Sequence, residues 1–249
     1  MKKVTISLLS LVFLIGCGSS SSSDTKKDDK TLDFNQTKPA YDLNNYLQTN
    51  SVVTYKLSSY IDKTGKKDFE EENKVETFPS QTNKWKADLL TMSNAQNVET
   101  GTIKILKNKF ERTMKMGDKS IKFDIVRNFN IGEYLANHLI EEKISNATVE
   151  LNRICKATKT LETKEYNSVT YNDILEIKCD TTSTLKSKNE LTTKANVEKS
   201  ELIYMAKGKG IIYNESESCT SVTNVVLGQE SEVKVCKKDI QEIITFNKI

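Results

Sequence analysis

The stretch Leu175-Glu176-Ile177-Lys178-Cys179 alternates apolar and charged residues one for one. Successive side chains of an extended strand point to opposite faces, so this spacing gives a strand with one apolar and one wet face. The same period of two recurs in both directions along the chain. Val53, Tyr55 and Leu57 alternate with Thr54 and Lys56; Ile103 and Ile105 with Thr102 and Lys104; Ile121, Phe123 and Ile125 with Lys122 and Asp124. Val233 and Val235 flank Lys234, and Ile244 and Phe246 flank Thr245. Strands that are wet on one face suit antiparallel pairing rather than a parallel sheet buried on both sides. The expected fold is mainly β, a curved antiparallel sheet or half-open barrel. One or two short helices, over residues 39–48 and 131–144, would make it α+β.

Turn residues separate the runs at Lys63-Thr64-Gly65-Lys66, Met116-Gly117-Asp118-Lys119 and Tyr166-Asn167-Ser168. With two prolines in the chain, Pro39 and Pro79, and no late Gly/Ser-rich linker, residues 39–249 read as a single β-rich domain. Roughly 210 residues can bury about 70 % of their unfolded surface, enough for a core.

The first forty residues follow a different logic. Lys2 and Lys3 precede an apolar run, residues 4–15, too short for a membrane-spanning helix, which needs about 20 residues. A cationic start followed by such a run is the layout of a secretion signal. It ends in Leu14-Ile15-Gly16-Cys17, which resembles the lipobox of bacterial lipoproteins. The resemblance implies a signal peptide over residues 1–16 and a Cys17 that carries covalent diacylglycerol and an N-acyl chain such as palmitate. Gly18, the serine run 19–23 and the polar residues that follow cannot bury enough apolar surface to fold, so residues 17–38 read as a tether. At about 5 to 6 Å times the square root of its length, its mean reach is about 25 Å. The lipoprotein sorting pattern, with Gly18 rather than Asp after the lipidated residue, implies the outer membrane, facing periplasm or cell surface.

Four further cysteines, Cys155, Cys179, Cys219 and Cys236, make an even set, which in an exported chain argues for two disulfides. Three pairings are possible. Cys155 with Cys179 and Cys219 with Cys236 are favoured, because each pair lies in neighbouring strand-like segments. A zinc site is disfavoured by the lack of any Cys-x-x-Cys pair.

A second resemblance lies within the domain. Val169-Thr170-Tyr171-Asn172-Asp173-Ile174-Leu175, followed by Tyr204-Met205-Ala206-Lys207-Gly208-Lys209-Gly210-Ile211-Ile212-Tyr213, is similar to a paired signature of uncharacterised bacterial secreted proteins and lipoproteins. Lys209 stands where that signature has an apolar residue. Gly208 and Gly210 are expected to permit a bend or a close approach. The apolar continuation after Gly210 is not the helix that a phosphate-binding loop requires.

Catalytic groups are sparse. His138 is the lone histidine, and no Gly-x-Ser-x-Gly turn offers a nucleophile. Glu70-Glu71-Glu72 and Glu141-Glu142 read as solvated charge, His138 as a partly exposed residue on a helix or loop, and Trp85, Tyr41, Tyr46, Tyr55 and Tyr60 as core. The formal charge of +3 includes Lys2 and Lys3, leaving 3 − 2 = +1 without the signal, and both signs are interspersed. Nucleic acid is thereby disfavoured as a partner. The expectation is a membrane-anchored envelope lipoprotein with no cofactor beyond its lipid, not an enzyme, acting as a binding or structural module on envelope proteins or lipid. The alternative is a lipid or lipoprotein carrier that resembles the Lol-type half-barrels; an envelope hydrolase ranks third.

Overall fold

The computed structural model describes the backbone of residues 31–48, 50–61, 66–78, 84–91, 94–116, 119–144, 147–187, 193–226 and 229–248. Nearly every described segment is a strand. The first half carries β1 (Tyr41–Asp42), a 3-10 turn (Leu43–Tyr46), β2 (Ser51–Ile61), β3 (Lys66–Phe78), β4 (Lys84–Thr91), β5 (Asn94–Ile105), β6 (Lys109–Met116) and β7 (Lys119–Val126). The second carries β8 (Asn128–Phe129), β9 (Tyr134–Ile144), β10 (Ala147–Tyr166), β11 (Val169–Ser187), β12 (Thr193–Ala206), β13 (Gly210–Val226) and β14 (Gln229–Lys248). Each alternating run read from the sequence falls inside one of these strands.

Twelve strands form one antiparallel sheet in the order β7-β6-β5-β4-β3-β2-β14-β13-β12-β11-β10-β9. Each ladder of this sheet joins strands consecutive in sequence except that of β14 with β2, and β1 and β8 pair separately. The sheet curls until its edges, β7 and β9, face each other: the Phe123 and His138 rings lie 4.9 Å apart. No backbone ladder joins the two edges, so the sheet is curved but not closed into a barrel.

Register sorts the faces. On β11, Leu175, Ile177, Cys179, Thr181 and Ser183 point to the concave side; across the ladder they meet Met205, Ile203, Glu201, Lys199 and Val197 of β12. The convex side of the same two strands carries Lys178, Asp180, Thr182, Lys186, Lys194, Glu198 and Ser200. A barrel that spans a membrane shows the opposite alternation, apolar outward, so these strands present water-compatible side chains outside.

One end of the concave side is packed. Phe110, Val126, Phe129, Leu135, Ala157, Leu175, Ile177, Ile203 and Met205 form a cluster that receives Leu43 and Tyr46 from the 3-10 turn as a plug. The plug is held by its backbone: the Leu43 N–H donates to Arg127 O at 2.8 Å, and Gly208 N–H donates to Asn45 O at 2.7 Å. Asp42 caps the turn through Asn44 N–H at 2.8 Å and pairs with the Arg127 guanidinium at 2.7 Å. Burial raises the Asp42 carboxyl, but Arg127 and the Asn44 N–H outweigh it and hold it below the usual carboxylate range.

A second cluster forms where the β10–β11 hairpin outruns its neighbours. Pairing of β11 with β12 starts only at Ile174, so the hairpin tip projects beyond the β12–β13 turn. A register shift between Ala157 and Lys159, and a left-handed Asp173 at φ 52, bend it. Asn167 and Ser168, both at positive φ, make the two-residue turn that matches strand twist. The tip folds over the convex face: Asn167 Nδ2 donates to Ile243 O at 2.8 Å and Tyr166 stacks on Tyr213 at 4.8 Å.

Three expectations change. Residues 131–144 are not a helix. From Tyr134 they form β9, because the β10 ladder satisfies their backbone while a register shift opposite Ala136 turns Leu135 inward and Leu139 stays 79 % exposed. Residues 39–48 supply the two-residue β1 and a single 3-10 turn in place of a helix. The tether reading ran to residue 38, yet Leu32 and Phe34 already pack on the first cluster, so the docked part of the chain begins before Pro39. Two apolar residues among polar neighbours carry too little signal to show that docking in advance.

Candidate functional site

Ladder register builds a polar row on the concave side, next to the packed end. His138 on β9 is paired with Arg153 on β10, which faces Thr181 on β11, which faces Lys199 on β12. One step along, Glu201 sits opposite Cys179. Across the open seam between the sheet edges, Arg112 of β6 lies beside Phe123 of β7, its guanidinium 5.6 Å from that ring.

Glu201 is the centre of the cluster. Its side chain is 6 % exposed, and it takes a hydrogen bond from Arg153 Nη1 on one oxygen and Lys199 Nζ at 2.8 Å on the other. Burial alone would raise its pKa, but Arg153 and Lys199 overcome that and keep it lowered. Arg153 Nη1 also donates to Thr181 Oγ1 at 3.2 Å. Burial, reinforced by Arg153, draws the Arg112 guanidinium down to about 10, with Glu201 opposing. The same two influences push His138 down to about 4, against a smaller pull from Asp124, so its imidazole is neutral at pH 7. His138 Nε2 is buried and meets no hydrogen-bond partner among the described residues. Buried polar atoms of this kind ordinarily have one.

Beyond this row toward the far end of the strands, the concave side becomes aliphatic. The next two rows are Leu151, Ser183, Val197, Thr220 and Val235, then Val149, Leu185, Ala195, Val222 and Val233. Val235 and Val233 are 51 % and 58 % exposed. The concave side therefore has two storeys, a packed one and an accessible apolar one, with cations at their junction.

A separate groove of about 540 Å³ lies under the folded hairpin, bordered by Tyr171, Asp173, Lys207, Lys209 and Phe246. Lys207 reaches Asp173 at 3.5 Å and Lys209 lies over the Phe246 ring at 4.0 Å. Gly210, at φ +78, begins β13 rather than sharing a strand face with Gly208, which lies in the turn. A Cβ on Gly210 would come within 2.1 Å of Gln48 Cγ. The close approach that the glycine allows is thus to a side chain of the plug segment.

Cysteine pairs join Cys155 to Cys179 and Cys219 to Cys236, each pair directly opposite across its ladder. Cys17 lies outside the described residues. So do the side chains of Glu70, Glu71, Glu72, Trp85 and Glu142. Glu141 is exposed, Tyr46 and Tyr55 are buried, and Tyr41 stacks on Phe129 at 5.6 Å. His138 is partly exposed, as read, but it lies on a strand rather than on a helix or loop. Arg112, Arg153, Lys199 and Glu201 escaped the sequence reading. Their signal is a break in apolar alternation: Glu201 and Lys199 continue the parity of Met205 and Ile203.

Comparison with protein-family models and with curated proteins finds no match. Among solved structures the chain is similar to OmpTdeltaL8, a loop L8 deletion mutant of OmpT, an outer membrane protein of Vibrio cholerae. That similarity has 5 % identity and a TM-score of 0.20 over 78 % of this chain and 98 % of that one.

Proposed function

We propose that the chain is a lipid-anchored envelope lipoprotein, held at the outer membrane through acylated Cys17, whose β domain is a non-enzymatic binding or structural module. The observation that carries this reading is Leu14-Ile15-Gly16-Cys17 at the end of a cationic start and a short apolar run. More than one acyl chain makes such an anchor stable, since a single chain binds only marginally. The wet convex face of β11 and β12 supports a domain that stands in water beside the membrane. A Cys17→Ser variant is expected to lose incorporation of labelled palmitate and to leave the membrane fraction; continued labelling would overturn the reading.

A specific observation favours a second reading, the carrier. Val233 and Val235 are more than half exposed on the concave side, where aliphatic rows line an accessible storey. Apolar surface of that kind, rimmed by polar residues, is the mark of a ligand or partner site rather than of a solvated face. Co-purification of lipid with the chain, measured by mass spectrometry of an organic extract, tests it; extracts without lipid argue for the purely structural module.

A further inference from the structure

We propose that the groove beneath the folded β10–β11 hairpin is a strand-addition site, which takes a short extended peptide of a partner protein with apolar and acidic side chains. The inference goes beyond the lipoprotein reading and does not depend on the anchor, which the Cys17→Ser experiment tests separately.

The first support is which atoms border the groove. Five consecutive residues of β11, Val169 to Asp173, line it. Successive side chains of a strand point to opposite faces, so what all five can present to one groove is the strand edge, its main chain. That edge is open. Residues 169–172 ladder with β10 alone, because pairing of β11 with β12 begins at Ile174. Tyr166 and Val169 flank the two-residue turn as a hydrogen-bonded pair. Alternation along an antiparallel ladder then turns the N–H and C=O of Thr170 and Asn172 away from β10. Among the described residues, the one main-chain bond to residues 169–173 from the β12 side is donated by Lys207 N–H to Asp173 O, at 3.2 Å.

The second support is the opposite wall. The β13 ladder leaves β14 at Glu242, and later β14 residues pair with β2 alone. Ile244 and Phe246 of that stretch border the groove. A main-chain edge facing an apolar wall suits an extended peptide, whose backbone pairs with the edge while alternate side chains pack on the wall. The site is also preformed: Asn167 Nδ2 on Ile243 O and Tyr166 on Tyr213 hold the hairpin tip down, and the left-handed Asp173 sets its bend. Little ordering is then left for the peptide to bring about. Charge is the third support. The turn between β12 and β13 sets Lys207 and Lys209 on the groove against one lining carboxylate, Asp173. Lys207 reaches it at 3.5 Å with both side chains more than half exposed, and Lys209 lies over the Phe246 ring. That balance favours an acidic side chain or a free C-terminal carboxylate. An acyl chain would leave the donors and acceptors of the edge without partners, and a compact anion would leave Ile244 and Phe246 wet.

The test pans a displayed library of linear heptapeptides against the full chain in a non-ionic detergent and measures the enriched peptide, once synthesised, by fluorescence anisotropy. Apolar residues at every second position and at least one acidic residue are expected. N-methylation along the peptide should weaken binding at least about fivefold at alternate positions and little at those between, because each amide paired with the edge loses its hydrogen bond. Thr170→Pro removes an outward N–H that the β10 ladder does not use, a place where a strand tolerates proline; it should weaken the same peptide by a similar factor. Lys207→Gln should reduce the preference for Glu over Gln in the peptide. A photoreactive residue in the peptide should label residues 169–173 or β14. Enrichment of no peptide, losses without a period of two, or labelling elsewhere would each overturn the site. If Thr170→Pro fails to fold, the N-methyl series and the labelling on the unaltered chain decide the matter alone.

Discussion

Replacing Gly210 with alanine tests how the plug is seated. Gly210 sits at φ +78, a conformation that costs an L-residue roughly 1–2 kcal/mol. Its added Cβ would lie 2.1 Å from Cγ and 2.6 Å from Cδ of Gln48, far inside contact distance. Gln48 is 8 % exposed, and its Nε2 donates to the Tyr55 hydroxyl, which in turn donates to Ile211 O at 2.9 Å. Moving Gln48 breaks the first of these bonds inside the core, worth about 1–2 kcal/mol. The sum is about 2–4 kcal/mol, which at ~2–4 °C per kcal/mol for a domain of this size is a fall in Tm of the order of 10 °C. Gly208→Ala is the matched control: φ is +69 there, but nothing lies within 4 Å, so only the backbone cost applies. Urea unfolding followed by far-ultraviolet circular dichroism should rank Gly210→Ala below Gly208→Ala. In a Gln48→Ala background the two should converge. Equal costs in the original background would refute the packing of the plug against β13.

Three other outcomes follow from the same structure. Removing either cysteine pair by double Ser substitution should cost about 3 kcal/mol in the chain-entropy model, read from the urea midpoint; alkylation of the untreated chain should find Cys155, Cys179, Cys219 and Cys236 blocked. Asp42→Asn should flatten the acid limb of the stability curve. The folded carboxyl is held below its unfolded value of about 3.9, so its contribution is complete above that pH and lost as pH falls through the folded value; an unchanged limb would count against the Arg127 pair. His138 is the lone histidine, so its imidazole proton resonance is unambiguous, and a titration midpoint near the folded value of about 4 is expected. Because the unfolded chain takes up that proton near pH 6.5 and the folded chain does not, stability attributable to His138 falls between about pH 6.5 and 4; a midpoint at about 6.5 would place the ring in solvent.

Alternation was the legible part of the fold. Where one face is wet and the other packed, as along residues 177–180, the pattern states both the strand and its faces. It fails where the environment changes along a strand. In β9 the sheet edge, a register shift and the seam mix inward Leu135 with outward Leu139, and a spacing of four then imitates a helix. The site was illegible for a related reason. Charges at inward positions, Arg153, Lys199 and Glu201, read as ordinary surface residues until the ladder shows that they share one row. Paired cysteines were easier, because a pair directly opposite on adjacent antiparallel strands needs only the hairpin to be right.

The positions of the two cysteine pairs bear on what the accessible storey is for. Cys155 and Cys179 point inward among packed apolar side chains, where the cluster already holds the strands. Cys219 and Cys236 point to the convex side of β13 and β14, and their chain neighbours Thr220 and Val235 face the aliphatic, accessible space. There the wall has no packed core behind it, and its register depends on ladder bonds and this crosslink. A wall kept in shape without being filled is what a cavity for an exchangeable apolar guest requires, since side chains packed against it would have to be displaced for each guest. If the storey were instead a core that had merely failed to pack, substituting larger apolar residues at Val233 and Val235 would fill it and raise stability. On the carrier reading the same substitutions, Val233→Phe and Val235→Phe, leave stability nearly unchanged and reduce the lipid recovered in an organic extract of the purified chain.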